Sequence, residues 1–308
     1  MKFGGKTKLV SDTRQRWIIF GAKGQLGIEL AAKFYNSNID FFAPESQEID
    51  IGNQESVNNY VQAVQPDFIF NAAAWTNVDL AEKNLELVNN VNAIGPRNLA
   101  TASKNIGVPL IHISTDYIFS GSRAVPWEIN SPALPLTVYG KSKLLGEKYV
   151  REIHPEGAYI FRTSWLFSEH RKNFVKSMVK KALFETDEVR VVGDQIGSPT
   201  STSDLVERVL TVLEKRLPTG TYHFSNSGEA SWFEFAIEIF ELCGSDPRRI
   251  KAIKSADYGS LTPRPEYSVL SNSCWDEFNL IPTRDWRQAL AEKLPAVIDN
   301  VKREKYAN

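Results

Sequence analysis

The sequence has little cysteine, little histidine and no excess of one charge. Its 308 residues include only Cys243 and Cys274, too few for a framework of several disulfides. Its 4 histidines are scattered without the spacing of a metal-ligand motif. With 36 Lys+Arg against 37 Asp+Glu, the net charge of -1 argues against a general attraction to nucleic acid or to membranes.

Long apolar runs are also absent. No uninterrupted run approaches the roughly 20 residues that a membrane helix needs. The segment 1–16 is polar and basic and lacks the apolar stretch of a secretory signal. We therefore expect residues 1–16 to form a flexible lead-in to a cytoplasmic protein that binds neither membrane nor nucleic acid.

What the sequence does contain is an alternation of short apolar runs and longer amphipathic stretches. We predict strands at residues 17–21, 39–43, 68–74, 110–115 and 159–167, and helices at residues 26–35, 54–64, 86–106 and 142–153. Near-continuous apolar strands separated by helices are typical of a parallel sheet covered on both faces. The predicted fold class is therefore α/β, with a doubly wound, Rossmann-like parallel sheet.

Beyond about residue 150 the alternation is less regular. We predict strands at 189–192 and 222–224, helices at 173–184, 203–215, 232–242 and 286–301, and proline-bearing loops at 197–200 and 262–265. This pattern indicates a dinucleotide-binding domain over residues 17–165 and a smaller C-terminal substrate lobe over 166–308. Segments of the lobe are expected to be interleaved into the sheet domain.

A glycine-rich loop follows the first predicted strand. Residues 17–30 read WIIFGAKGQLGIEL, so that Gly21, Gly24 and Gly27 lie between a strand and a helix. In a dinucleotide-binding loop these glycines allow a tight turn, approach of the backbone to a pyrophosphate, and close contact between helix and sheet. An ordinary glycine-rich turn is the alternative. The G-x-x-G-x-x-G spacing is typical of short-chain dehydrogenases.

The residues near the second strand give conflicting indications about the cofactor. Glu45 could bind the ribose hydroxyls of NADH, whereas Lys23 could favour the 2′-phosphate of NADPH. Asp50 and Ile51 could flank the adenine or, equally well, belong to a helix cap before Asn53. Both NADPH and NADH therefore remain candidates.

A tyrosine and a lysine four residues apart suggest carbonyl reduction. The spacing puts Tyr139 and Lys143 on one helical face, one turn apart. A phenol can protonate a carbonyl oxygen, and a nearby ammonium and an oxidised nicotinamide are expected to lower its pKa from about 10. Thr115 ends the strand at 110–115, where it could bond the substrate carbonyl and the tyrosine hydroxyl. A surface Tyr-Lys pair and a turn-forming threonine are the alternatives.

Seven segments, taken together, resemble a known family. FGAKGQLGIEL, FNAAAWTNVDLAE, ISTDYIFSG, YGKSKLLGE, FRTSWLF, GDQIGSPTSTSDL and RPEYSVL occur in this order between about residues 17 and 290. They resemble the dTDP-4-dehydrorhamnose reductases, which are extended short-chain dehydrogenases. The resemblance implies an NAD(P)H-dependent oxidoreductase that reduces the 4-keto group of a nucleotide-activated 6-deoxysugar, dTDP-4-dehydro-L-rhamnose, in polysaccharide precursor synthesis.

The resemblance also implies roles for individual residues. Tyr139 becomes the proton donor, with Lys143 and Thr115 completing the catalytic set. The expected cofactor residues are Gly21, Gly24, Gln25, Leu26, Gly27, Asp50, Ile51, Ala72, Ala73, Ala74, Tyr139 and Lys143. The expected substrate residues are Thr115, Asp116, Tyr117, Trp165, Asn173, Gln195 and Arg264. In the last group, Asn173, Gln195 and Arg264 could bind the nucleotide diphosphate, a task that suits the planar guanidinium of arginine.

Some of these residues have structural alternatives. The alanines at 72–74 could serve tight packing, and Trp165 could belong to the core, as aromatic residues in strands usually do. Thr76 and Asp79 are predicted to form a helix capping box. Lys172, Lys176 and Lys180 repeat every four residues, so we predict that they lie on the solvated face of an amphipathic helix.

A metal, a second copy of the chain and other functions are also considered. Some members of the family hold magnesium at a dimer interface with a glutamate that Glu29 matches, but the other ligands cannot be identified, so no metal residue is assigned. A homodimer is expected. A reductase of UDP-linked sugars, or a non-catalytic regulatory subunit like that of methionine adenosyltransferase, is the alternative. The presence of Thr115, Tyr139 and Lys143 favours an enzyme.

Overall fold

The computed structural model describes residues 14–37, 39–259 and 262–307. Most of the predicted lead-in, residues 1–13, lies outside the described residues. The predicted C-terminal bound of the lead-in, residue 16, is wrong. Gln15 and Arg16 pair with Ile39 and Asp40 and begin the first strand. Strands pair through backbone groups, which requires no apolar side chain. The polar side chains of these two residues therefore did not indicate a strand.

Twelve strands form one large sheet and three small ones within the described residues. In chain order they are β1 (Gln15–Phe20), β2 (Ile39–Phe42), β3 (Phe68–Asn71), β4 (Leu110–Thr115), β5 (Ala158–Thr163), β6 (Leu166–Phe167), β7 (Val189–Val192), β8 (Ile196–Gly197), β9 (Thr200–Ser201), β10 (Gly220–His223), β11 (Ala230–Ser231) and β12 (Ile250–Ile253). The small sheets pair β11 with β8, β12 with β7, and β6 with β9.

The large sheet has the strand order β10-β5-β4-β3-β1-β2, and all its pairings are parallel. The chain passes from β1 to β2 and then returns to β3 on the other side of β1. Such a reversal is a topological switch point, where doubly wound sheets bind ligands beyond the carboxyl ends of their strands. The predicted α/β fold with a doubly wound parallel sheet is confirmed.

The helices connect these strands. In chain order they are α1 (Gln25–Tyr35), α2 (Gln54–Val64), α3 (Val78–Ala81), α4 (Leu85–Asn89), α5 (Gly95–Ile106), α6 (Val138–Ile153), α7 (Phe174–Phe184), α8 (Thr202–Glu214), α9 (Trp232–Leu242), α10 (Ser255–Tyr258) and α11 (Trp286–Tyr306). The single helix predicted at 86–106 is wrong in detail, because a π-helical turn, Asn90–Ile94, separates α4 from α5. Pro96, which cannot donate a hydrogen bond to the preceding turn, lies just after this π-helical turn.

Each face of the large sheet has its own apolar core, because successive residues of a strand point to opposite faces. Trp17 and Ile19 of β1 pack with α1 and α8. Ile18 and Phe20 pack with α2, α5 and α6. Burial on both faces explains why the strands read as near-continuous apolar runs.

A further apolar core lies in the C-terminal half. Helices α7, α9 and α11 pack there with β7 and β12, around the buried side chains of Phe235 and Trp286. In contrast, β10 joins the large sheet beside β5, and α8 packs with α1. Residues after 165 thus contribute to three cores, the third formed by Tyr267, Val269 and Leu270 with Phe119 and Trp127. The proposed domain boundary at 165 stays a prediction. None of the described helices is long and apolar enough to cross a membrane.

Candidate active site

A cleft of about 510 Å³ opens where the switch point and the carboxyl ends of β3, β4 and β5 meet. Many of the residues predicted from the sequence line it. They are Gly24, Gln25, Leu26, Gly27, Ala72, Ala74, Thr115, Asp116, Tyr117, Tyr139, Lys143, Trp165 and Arg264. The predicted residues that do not line this cleft are Gly21, Asp50, Ile51, Ala73, Asn173 and Gln195.

The glycine loop is shaped by contacts that leave no room for side chains. Gly21 has a φ of 79°, and a Cβ there would come within 2.5 Å of the backbone N of Ala73. A Cβ at Gly27 would lie 2.4 Å from the carbonyl oxygen of Gly21. Gly24 precedes α1 and offers no side-chain cap, so the first-turn N–H groups of this helix are available to an anionic ligand.

The two residues that gave conflicting indications about the cofactor are paired with each other. Lys23 in the glycine loop forms an ion pair with Glu45, which follows β2. Asp50 lies outside the lining and accepts a hydrogen bond from Gly52 N at 2.8 Å. The N-cap of α2 is Asn53, whose side chain accepts from Ser56 N, whereas the Asp50 side chain bonds Gly52 N. The helix-cap alternative for Asp50 and Ile51 is therefore wrong.

Tyr139 lies in the first turn of α6, and its ring meets that of Tyr117 edge to face at 5.6 Å. Burial raises the pKa of Tyr139, while a hydrogen bond between Tyr139 and Thr115 opposes the rise. The expected lowering of this pKa by Lys143 together with an oxidised nicotinamide stays a prediction, because in the protein alone the removal of the phenolate from water dominates.

Lys143 is buried one turn further along α6. Its Nζ donates a hydrogen bond to the carbonyl oxygen of Ile113 at 2.6 Å and lies 3.5 Å from His112 Nε2. Burial lowers the pKa of Lys143 to about 8, against an opposing effect of Glu147. Burial also lowers the pKa of His112 well below its usual value, so this imidazole is neutral. Its Nδ1 lies 3.1 Å from Asn71 Nδ2.

A buried ion pair lies beside this group. Glu147 of α6 is fully buried and accepts hydrogen bonds from Arg162 Nη2 at 2.8 Å, from Arg151, and from Ser114. Burial alone would raise the pKa of Glu147, but the Arg162 guanidinium and these hydrogen bonds hold it below its usual range. Sequence reasoning missed the pair and His112. The available signal was a polar residue inside an otherwise apolar strand.

The cleft is also lined by Asp116, Tyr117 and Arg264. Burial raises the pKa of Asp116 to about 6, although hydrogen bonds from Ser268 and Thr115 oppose it. Burial raises the pKa of Tyr117 to about 12 against the opposing charge of Arg264. The guanidinium of Arg264 pairs with Asp79 at 3.0 Å.

Two tryptophans stack at the edge of the cleft. The rings of Trp165 and Trp232 have their centroids 3.4 Å apart and their planes within 6°. Trp165 has a φ of 45°, a conformation that is a rare outlier for a bulky residue. It lines the cleft and also packs against the C-terminal core, so the two interpretations of Trp165 are not exclusive. Trp232 was not predicted, because its position as the first residue of a helix does not indicate that it stacks on Trp165.

Asn173 and Gln195 lie just outside the cleft. Asn173 caps α7 through Lys176 N and donates to Gln25 Oε1 at 2.9 Å. Gln195 lines a neighbouring cavity of about 730 Å³ that shares Trp232 and Arg264 with the cleft.

Two local predictions are wrong. The cap of α3 is Asn77, whose side chain accepts from Leu80 N at 2.9 Å, so Thr76 and Asp79 form no capping box. Lys176 is buried, because α11 covers this face of α7, and its ammonium donates to Asn300 and Glu304. The solvated face therefore excludes Lys176, and Lys172 lines the cleft.

Glu29 does meet two further metal-ligand side chains. Ligand atoms of Glu29, Glu169 and His170 lie within 4.8 Å of one another. Lys293 Nζ, however, lies 3.1 Å from Glu29 and 3.8 Å from Glu169. Lys293 therefore approaches both carboxylates but offsets only one of their two negative charges, and we assign no metal to this group.

Comparison with known proteins identifies related chains. The family described as RmlD substrate binding domain matches residues 15–298. The spore coat polysaccharide biosynthesis protein SpsK of Bacillus subtilis (strain 168) is 43% identical, over 90% of this chain and 96% of its own. The dTDP-4-dehydrorhamnose reductase of Streptomyces griseus is 40% identical, over 92% of this chain and 94% of its own.

A solved structure is similar in fold as well as in sequence. The dTDP-4-dehydrorhamnose reductase of Bacillus anthracis str. Ames, in complex with NADP, superposes with a TM-score of 0.88 at 37% identity. The match covers 92% of this chain and 99% of that chain.

Proposed function

This chain belongs to the family of the dTDP-4-dehydrorhamnose reductases, and from that membership we propose the reaction it catalyses. The reaction is the NAD(P)H-dependent reduction of the 4-keto group of dTDP-4-dehydro-L-rhamnose to dTDP-L-rhamnose, in the synthesis of polysaccharide precursors. The observation that carries the proposal is that Thr115, Tyr139 and Lys143 line the same cleft as the glycine loop.

The glycine loop fits a nicotinamide dinucleotide. Gly21 and Gly27 occupy positions where a side chain would collide with backbone, and the uncapped first turn of α1 suits a pyrophosphate. Ala72 and Ala74 line the cleft with small side chains that leave room for the cofactor. Gly21, Asp50, Ile51 and Ala73 lie outside the lining of the cleft and remain proposed cofactor residues. Bound NADPH or NADH supplies a hydride to C4 of the sugar.

Tyr139 is the proposed proton donor. Because burial raises its pKa, the phenol keeps its proton at neutral pH, which is the state that a donor needs. Thr115 is hydrogen-bonded to Tyr139 and lines the same cleft, which supports a contact of its hydroxyl with the same carbonyl oxygen. Tyr139 transfers its proton to that oxygen as the C–H bond forms at C4. The phenolate that remains lies one turn from the Lys143 ammonium and regains its proton from solvent.

The part of the cleft next to Thr115 and Tyr139 is proposed to hold the nucleotide sugar. Asp116 and Tyr117 line it beside Thr115, and the stacked Trp165 offers an apolar face for the sugar ring. Arg264 lies where the cleft meets the neighbouring cavity and is proposed to bind the diphosphate. Gln195, in that cavity, would then contact the nucleoside end, and Asn173 would act through Gln25. A cytoplasmic location and a homodimer are also proposed.

The test is a steady-state assay of NADPH and NADH oxidation with 4-keto-6-deoxy sugars linked to dTDP or to UDP. Turnover with the dTDP-linked 4-keto sugar at the higher kcat/KM is expected. Faster turnover of the UDP-linked sugar would reject the proposed nucleobase. Binding of the cofactor without turnover of any sugar would reject the reductase and favour a regulatory subunit.

A further inference from the structure

A short segment after β6 holds the glycine loop from the C-terminal side. Ser168 Oγ and Asn173 Nδ2 both donate to Gln25 Oε1, at 3.1 Å and 2.9 Å. Between them, Arg171 Nε donates to the carbonyl oxygen of Lys23 at 2.6 Å. The residue after Lys23 is Gly24, which caps α1, so the Arg171 guanidinium lies beside the proposed pyrophosphate site.

Arg171 adopts a backbone conformation that favours glycine. Its φ is 55°, in the left-handed region where a Cβ is strained. The side chain is exposed rather than buried in a core that would compensate for the strain. A strained residue beside a ligand cleft suggests that its side chain, and not its backbone, is what the position requires.

The charge around the glycine loop is also in favour of a role for Arg171. Lys23 is nearest in sequence, but its ammonium is paired with Glu45. Arg171 and Lys172 both line the cleft. Within the described residues, the Arg171 side chain donates from Nε to a backbone carbonyl and pairs with no carboxylate. The two terminal guanidinium nitrogens are therefore free to donate to an anion.

We propose that Arg171 is a cofactor-binding residue, contributed from beyond the sheet domain, whose terminal guanidinium nitrogens donate to the pyrophosphate of NADPH or NADH. Nε remains on the Lys23 carbonyl and orients the planar group towards the first turn of α1. A pyrophosphate bound there receives helix N–H groups from one side and charge-assisted hydrogen bonds from the other. The inference rests on the proposed function only in requiring that a dinucleotide binds at the glycine loop.

The test compares binding of NADPH, ADP-ribose and AMP by wild type, Arg171→Gly and Arg171→Asn. Glycine and asparagine tolerate the left-handed backbone, so both variants are expected to fold with an unchanged or higher Tm. Lys180→Gln is the matched control, because it removes one exposed positive charge outside the cleft. ADP-ribose carries the pyrophosphate, and AMP does not.

We expect the Kd for NADPH and for ADP-ribose to rise about tenfold in both Arg171 variants, because each variant loses one charge-assisted contact. AMP should bind equally to all proteins, and Lys180→Gln should match wild type. Unchanged NADPH affinity would overturn the inference, as would a loss confined to the KM of the nucleotide sugar. A lower Tm together with an equal loss of affinity for AMP would also overturn the inference. That result would mean that Arg171 only stabilises the fold of the glycine loop. Wild type that binds NADPH but turns over no sugar would reject the proposed function alone.

Discussion

Lys143 donates from its ammonium to the carbonyl oxygen of Ile113 at 2.6 Å, so a backbone group of β4 holds the charge one turn from Tyr139. Burial lowers the pKa of this lysine to about 8. We therefore expect kcat/KM to fall as pH rises above about 8, because the neutral amine can no longer stabilise a phenolate. A pH profile of kcat/KM that stays level to pH 10 would contradict this role for Lys143.

The same shift predicts how stability depends on pH. The folded protein binds the Lys143 proton with a pKa of about 8, whereas the unfolded chain binds it with the ordinary value of 10.5. Between these values the unfolded chain holds more protons, so this residue makes the free energy of unfolding rise with pH. Denaturant titrations at several pH values should show that this slope is smaller in Lys143→Met. An identical dependence of unfolding free energy on pH in Lys143→Met would contradict the lowered pKa of Lys143.

The buried pair of Glu147 and Arg162 is expected to matter for stability. Glu147→Gln leaves the Arg162 guanidinium buried without its charge partner, which should lower the free energy of unfolding by about 3 kcal/mol. Arg151→Gln is the matched control, since it removes the partly exposed cation on the same carboxylate and should cost less than about 1 kcal/mol. Equal losses in the two variants, measured by urea unfolding, would show that burial does not decide the effect.

The pair of Lys23 and Glu45 sets the expected cofactor preference. Glu45→Gln removes a negative charge near the ribose site and releases the ammonium, so the ratio of kcat/KM for NADPH over NADH should rise, by about tenfold. Lys23→Met should lower that ratio. Steady-state kinetics with both cofactors measure it, and two variants that shift the ratio in the same direction would refute the assignment.

The sequence predicted the sheet and most of the cleft because both depend on local patterns. The strand at 110–115 and the helices at 54–64 and 232–242 have the predicted bounds, since apolar periodicity reports burial directly. The glycine loop and Tyr139 line the same cleft. This could be expected because the carboxyl ends of parallel strands meet at one edge of the sheet.

The features that escaped prediction depend on which distant residues pack together. The burial of Lys176 requires α11 to lie across α7, and nothing in the spacing of the lysines indicates that. The stack of Trp165 on Trp232, and the carbonyl of Ile113 beneath Lys143, arise in the same way from tertiary packing. The raised pKa of Tyr139 follows from burial, which the motif alone could not measure.

The most direct test of the account is the kcat of Tyr139→Phe, measured together with its affinity for NADPH. Phenylalanine keeps the ring and its contact with Tyr117 but removes the proton. We expect kcat to fall by about 10²–10⁴, the size of a general-acid contribution, with NADPH affinity unchanged. Turnover equal to that of the wild type would contradict the claim that Tyr139 protonates the substrate oxygen.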